Sequence, residues 1–282
     1  MLEPIRAAIR HLNPNDVRRL AARRFSVGLL ASDDEAFAEL VRFLLPAGIS
    51  DRKAQQSGRH VFRVEDQADL ERCEFGIVEP GQDRPDNFYP PDQAVDLFLE
   101  RHQELWIPVA RHFPAFRDPV VERLIRKIAR ENALFVVATA LPNVVPSLLE
   151  LPWAIGEFAT DTAFLTMNQI RLAFLIAAAS DAPVGYIEQR GQIASIITSA
   201  FGWRALAREL ISKVPFGGGL LPKGAVAFAG TYVVGLGLER YQRFGRGLTA
   251  QEKREQYVTA YQRGRGVVEQ ILARWNASQR QA

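Results

Sequence analysis

Four places in the chain carry residue types whose spacing could do chemistry. The first is FSVGLLASDDEAF (25–37), an apolar run of strand type, a polar turn and the start of an amphipathic run. Strand, loop and helix in that order make a phosphate-binding turn when glycine amides and a lysine face the anion, as in G-x-x-x-x-G-K-[ST] or G-x-G-x-x-G. The turn here is Ala31-Ser32-Asp33-Asp34-Glu35. Its three carboxylates stabilise the helix dipole and repel phosphate, so no nucleotide cofactor is expected. The second place, Gly217-Gly218-Gly219-Leu220-Leu221-Pro222-Lys223-Gly224, has the glycine content of a phosphate loop. Pro222 stands where the second glycine belongs, however, and no Gly-Lys-Ser/Thr ending follows. It reads as a flexible turn between two apolar helices.

The third place is the set of metal-capable and nucleophilic residues. His11, His60, His102 and His112 show no H-x-x-x-H spacing, and Cys73 is the sole cysteine. One thiol makes neither an internal disulfide nor a cysteine-built zinc or iron–sulfur site. Asp92, Asp96 and Glu100 share one helix face, but a hard cation wants more converging oxygens than a single face offers. They read as a solvated surface. No G-x-S-x-G elbow is present. The fourth place is a basic stretch with interleaved aromatics, from Arg240, Tyr241 and Phe244 to Tyr257, Tyr261 and Arg265. Its chemistry suits an anionic surface. Four glycines interrupt it and no nucleic-acid motif accompanies it, so nucleic acid is not an expected partner and a solvated helix pair is the plain reading.

The elements that must position these residues follow from periodicity. At 282 residues, with 48% hydrophobic and 24% charged side chains, the chain can bury a sizeable core. Residues 1–24 form a basic N-terminal arm, two short helices broken at Asn13-Pro14-Asn15, with Asn15 as a cap and Leu2, Ile5, Ile9 and Leu12 on one face. No apolar stretch of secretory type occurs there, and a reduced, cytoplasmic setting is expected. Residues 25–91 form a small α/β domain: a strand near Phe25–Ala31, a helix capped by Ser32 with Glu35 in a capping box, then strands at His60–Val64 and Glu74–Val78. Residues 80–91, PGQDRPDNFYPP, read as a linker. Residues 92–282 form a helical domain, with Asp92 as first cap and helical spacing at 118–137, Phe164–Ala178, Ile187–Ile211, Ala225–Leu238 and Ala250–Trp275. The fold class is therefore mainly α, with a small N-terminal α/β unit and a bundle-like C-terminal domain.

Charge divides along the same lines. Residues 1–24 carry six Arg against Glu3 and Asp16, residues 25–100 carry 7 basic and 16 acidic groups, and residues 101–282 carry 22 and 14. An acidic block lies between basic ones. Ala133–Leu149 and Gly224–Leu238 are free of charge but shorter than a membrane span of about 20 residues, so both read as core helices. In the second, Ala227, Thr231 and Gly235 recur every fourth residue and let another helix come close.

Several of these segments together resemble a known family. ENALFVVATALP (131–142), FLTMNQIRLAFLIAAA (164–179), FGWRALARELISKVP (201–215) and LLPKGAVAFAGTYVVGLG (220–237) are similar to the domain of unknown function 697 over about residues 118–248. The resemblance rests on Asn132-Ala133, Leu141-Pro142, Asn168-Gln169, Arg208-Glu209, Lys223-Gly224 and Gly230-Thr231. It implies a helical, apolar domain that partners GTPase domains, in some members at a membrane, and it brings no catalytic residues. Asn168 and Gln169, set in an apolar helix, are expected to find buried partners and fix helix register. The functional expectation is a non-enzymatic interaction module that contacts a protein partner, a GTPase by the resemblance, or the cytoplasmic membrane surface, with self-association open. A peripheral or re-entrant membrane protein is the second reading, and an enzyme with a dispersed site the third.

Overall fold

The structure is a computed structural model and describes residues 12–83, 85–140, 161–198 and 219–279. Helix dominates, with one small parallel sheet, and the chain divides into two compact units. One comprises Asn15–Glu122 with Ala177–Val184. The other comprises the described residues of Met1–Pro14, Arg123–Ile176 and Gly185–Ala282.

In the sheet-bearing unit, α1 (Pro14–Ala21) opens on its proline, whose missing N–H is no loss at that position. Asn15 is therefore inside the helix and not its cap, and its Oδ1 accepts from Arg18 Nη1 at 3.0 Å. Strand β1 (Val27–Leu30) leads to α2 (Asp34–Leu44) and α3 (Asp51–Gly58). Then come β2 (Val61–Arg63), α4 (Gln67–Arg72), β3 (Phe75–Val78) and β4 (Phe88–Tyr89). The strands lie in the order β2-β1-β3-β4, all parallel, with Val27 opposite both Val61 and Phe75. Parallel neighbours need crossovers, so α3 and α4 stand where the sequence showed only connection. Neither has an apolar stripe to announce it: α3 buries only Ser57, and α4 buries nothing.

Strand β4 lies inside the segment expected as a linker. Its Phe88 ring covers the face of the sheet that two glycines leave bare. A Cβ built on Gly76 would stand 2.1 Å from Phe88 Cε1, and one on Gly28 would stand 2.8 Å from Val64 Cγ2 and 3.0 Å from Cys73 Sγ. Helix α5 (Pro91–Arg101) starts on Pro91, with Asp92 in its first turn and no side-chain cap. A short 3-10 turn (Gln103–Leu105) leads to α6 (Trp106–His112) and α7 (Pro114–Thr139). Phe98 of α5 lies 4.8 Å from Phe75 of β3 and 4.9 Å from Phe116 of α7. That aromatic packing holds α5, α6 and the start of α7 with the sheet, so this unit runs past residue 91 to Glu122.

The helical unit contains α7 from Arg123, α8 (Asp161–Ala179) up to Ile176, a helical stretch at 190–198, α9 (Leu220–Phe244) and α10 (Ala250–Gln279). Helix α9 begins at Leu220, so Pro222-Lys223-Gly224 form its first turn and not the flexible loop expected there. Gly245, at φ 68°, ends it, and its N–H donates to Tyr241 O at 2.8 Å. The small-residue stripe is a packing face: Ala227 and Thr231 are buried, and a Cβ on Gly235 would stand 2.7 Å from Ile125 Cγ1 of α7. Gly224 admits Val268 of α10 and Val137 of α7 in the same way, at 2.7 and 2.9 Å from a would-be Cβ. By length and composition, α8 (Thr162–Ala179) and α9 could each cross a membrane, but 83% of the first span and 56% of the second are buried within the protein. Expectations for residues 1–11, for 141–149 with Leu141-Pro142, for 199–211 with Arg208 and Glu209, and for Gly217-Gly218 lie outside the described residues.

Candidate functional site

In a parallel sheet of this kind a ligand is held beyond the carboxyl ends of the strands, where the chain order reverses. Here that point lies between β1 and β3. The amide it offers is already taken: Ser32 N–H donates to Glu79 Oε2 at 2.8 Å. Gln82 Nε2 donates to the same oxygen at 2.9 Å, and Glu79 N–H donates to Leu30 O at 3.0 Å, which fixes the backbone. The Ser32 amide, bonding the charged form, holds the Glu79 carboxyl below the usual carboxylate range. Asp33, and not Ser32, caps α2, its Oδ1 accepting from Ala36 N–H at 2.9 Å. The cap moves one residue along because Ser32 is committed to Glu79. Protein carboxylates thus accept from two of the amides a phosphate would use, those of Ser32 and Ala36. Glu79 follows β3 in no recognisable pattern, and sequence reading missed it.

Two of the four histidines, His60 and His112, meet in one cluster of the same unit. The His60 and His112 rings are 4.4 Å apart, Phe25 stacks on His60 at 4.4 Å, and His60 Nδ1 lies 3.0 Å from Phe25 O. Ser57 Oγ lies 3.2 Å from His112 Nδ1 but donates to His112 O at 3.1 Å, and its side chain is fully buried. Burial, and then the neighbouring His60, pull His112 down to about 4. His102 belongs elsewhere, 2.8 Å from the Tyr89 hydroxyl. Among the described residues no group of three or more His, Cys, Asp or Glu is disposed to hold a metal. Asp92, Asp96 and Glu100 are all exposed along α5.

In the helical unit, four of the motif residues converge. Asn132 of α7 donates through Nδ2 to Thr231 Oγ1 of α9 at 2.7 Å. Asn168 of α8 donates to Asn132 Oδ1 at 2.8 Å, and Gln169 Nε2 donates to Thr231 Oγ1 at 3.3 Å. All four are buried, three of them fully, and Asn168 Oδ1 has no partner. Beside them, Glu131 of α7 pairs with Arg171 of α8 at 3.2 Å, both largely shielded from solvent. Desolvation raises the Glu131 carboxyl, against the pull of Arg171, and desolvation lowers Lys127, one turn away. Sequence reading did not single out this pair. Gly230 is buried beside Thr231, and Lys223 is exposed in the first turn of α9; neither joins the network.

The basic, aromatic stretch divides in two. Tyr257 and Tyr261 are buried. Arg240 pairs with Glu252 at 2.5 Å and Arg243 with Glu239 at 3.0 Å. The rest is exposed at and beside the turn between α9 and α10: Phe244 is 65% accessible and Tyr241 44% at the end of α9, and Val258 52% on α10, with Arg246 in the turn and Arg254 on α10 also exposed. No family profile, curated protein or solved structure matches this chain.

Proposed function

We propose that the chain is a non-enzymatic interaction module, in the cytoplasm, whose helical unit docks through the α9–α10 turn on an acidic surface. The observation that carries this reading is the exposure of Phe244, Val258 and Tyr241 among arginines. Large apolar side chains left in water beside cations fit a partner that buries the first and neutralises the second. Glu79 on the Ser32 amide supports contact over nucleotide turnover. The meeting of Asn132, Asn168, Gln169 and Thr231, drawn from separate stretches, supports the resemblance to the domain of unknown function 697. With that resemblance comes the proposal that the partner is a GTPase.

The second reading places the same turn on the inner face of the membrane. It is favoured by the apolar length of α8 and α9. A photo-crosslinking residue at Phe244, used in cells, tests both. A defined protein adduct supports the partner reading, and an adduct to a second copy makes that partner the chain itself. Lipid adducts, with release from membranes by salt, support the second. No adduct of any kind, with all the protein in the soluble fraction, defeats both.

A further inference from the structure

A cleft of about 420 Å³ lies across α7, α9 and α10 of the helical unit, lined by Arg126, Arg130, Phe228, Tyr232, Arg263 and Val267. Among the described lining residues three are arginines and none is acidic. Arg126 and Arg130 stand one helical turn apart on α7, both exposed, while Phe228 and Val267 give the cleft apolar walls. Arg263 is held in place: its guanidinium lies over the Tyr232 ring, 5.7 Å from the centroid, and its Nη1 donates to the Tyr232 hydroxyl at 3.0 Å. That bond leaves the hydroxyl proton of Tyr232 free to be given to another acceptor. Tyr232 is itself 5% exposed and gives the exposed Arg263 a fixed partner.

From this geometry we infer that the cleft is a phosphate site, taking a phosphoester oxyanion between Arg130, Arg126 and Arg263 with Tyr232 as a fourth donor. Guanidinium forks match phosphate oxygens two at a time, and an aromatic-stacked arginine loses little freedom on binding. The volume is in the range of ligand pockets and exceeds what bare phosphate needs, so the phosphate carries an organic remainder against Phe228 and Val267. None of the six residues belongs to the α9–α10 turn, so this site stands or falls apart from the docking proposal.

The ester is either a lipid headgroup or a soluble phosphate compound, and the test separates them. The full chain is titrated calorimetrically with glycerol 3-phosphate at low salt, and sedimented with phosphatidylcholine vesicles with and without phosphatidate. Arg130→Gln and Arg263→Gln are run beside Arg52→Gln, which changes an exposed arginine of the sheet-bearing unit, outside both the cleft and the α9–α10 turn. Saturable binding of glycerol 3-phosphate, weakened at least tenfold by either cleft variant and unchanged by Arg52→Gln, supports the site with a soluble ligand. Phosphatidate-dependent sedimentation with the same variant pattern supports it with a lipid. Binding to neither probe overturns the proposal, as does binding that Arg52→Gln weakens as much as the cleft variants do. Far-UV circular dichroism confirms that each variant is folded, and Arg263→Lys, which keeps the charge but not the fork, is expected to recover only part of the affinity.

Discussion

Replacing Thr231 with valine keeps the shape of the side chain and removes the one acceptor that two buried amides share. Asn132 Nδ2 at 2.7 Å and Gln169 Nε2 at 3.3 Å both lose their partner. A buried donor left without an acceptor costs about 1–3 kcal/mol. The longer Gln169 bond belongs at the low end, so Thr231→Val is expected to cost about 2–4 kcal/mol. Thr231→Ser keeps the oxygen and deletes one buried methyl, at about 1 kcal/mol. For a unit of this size each kcal/mol lowers the melting temperature by about 2–4 °C. Calorimetric unfolding of the full chain, read on whichever transition belongs to the helical unit, should therefore fall by about 4–16 °C for valine and about 2–4 °C for serine. The order is the test. If valine is tolerated as well as serine, the amides do not depend on Thr231 and the network does not fix the three helices.

Acid should weaken the sheet-bearing unit. His112 sits near 4 when folded, below its unfolded value of about 6.5. The unfolded chain takes up that proton first, so stability is intact above pH 6.5 and is lost as pH falls toward 4. Linkage gives at most about 2 kcal/mol at pH 5, and partial solvent access halves this to about 1. Urea midpoints at pH 7.5 and pH 5 should show this drop, and His112→Gln should flatten it; an unchanged slope in the variant would assign the acid effect elsewhere. Gly76→Ala drives a methyl into Phe88, which is 1% exposed, and should cost about 3 kcal/mol or more. Gly266→Ala, in α10 with nothing within 4 Å of the new carbon, should instead stabilise by about 0.5–1 kcal/mol; thermal melts that fail to separate the two signs contradict the packing described. In a chain carrying Arg130→Gln and Arg263→Gln, which disables the arginine cleft, neither GTP nor ATP with magnesium should raise the melting temperature, and a rise there would refute the assignment of Glu79 to the Ser32 amide.

What could be read in advance was what repeats. The stripes of α2, α8 and α9, and the strands β1 and β3, announce themselves by period and by apolar runs. Asn168 and Gln169 could be marked because an amide in an apolar helix needs company. That the company would be Asn132 and Thr231, 36 and 62 or 99 residues apart in sequence, is a fact of helix register that no local window contains. Glu79 was invisible for the same reason, since its partner Ser32 is 47 residues away. Strand β4 was hidden by composition: two residues between prolines, held by the ring of Phe88 over glycines that only the folded sheet brings beneath it. The arginine cleft draws on Arg126, Arg130 and Arg263, which are scattered among many other arginines and become a set only when α7 and α10 stand on either side of Tyr232.

The sheet-bearing unit is not continuous in the chain. It is completed by residues 177–184: Asp181, at φ 58°, accepts from Lys53 at 2.6 Å and Arg111 at 2.7 Å, and the carbonyl of Val184 accepts from Arg18 at 2.7 Å. During synthesis the first 122 residues therefore emerge with two cations and an arginine donor still waiting for partners that are made later. The nascent sheet must wait for its clasp until the ribosome has also delivered α8. Cutting the gene after residue 122, as its early strands invite, would yield a fragment without that closure, and a separately produced version of this half should append or graft the 177–184 loop.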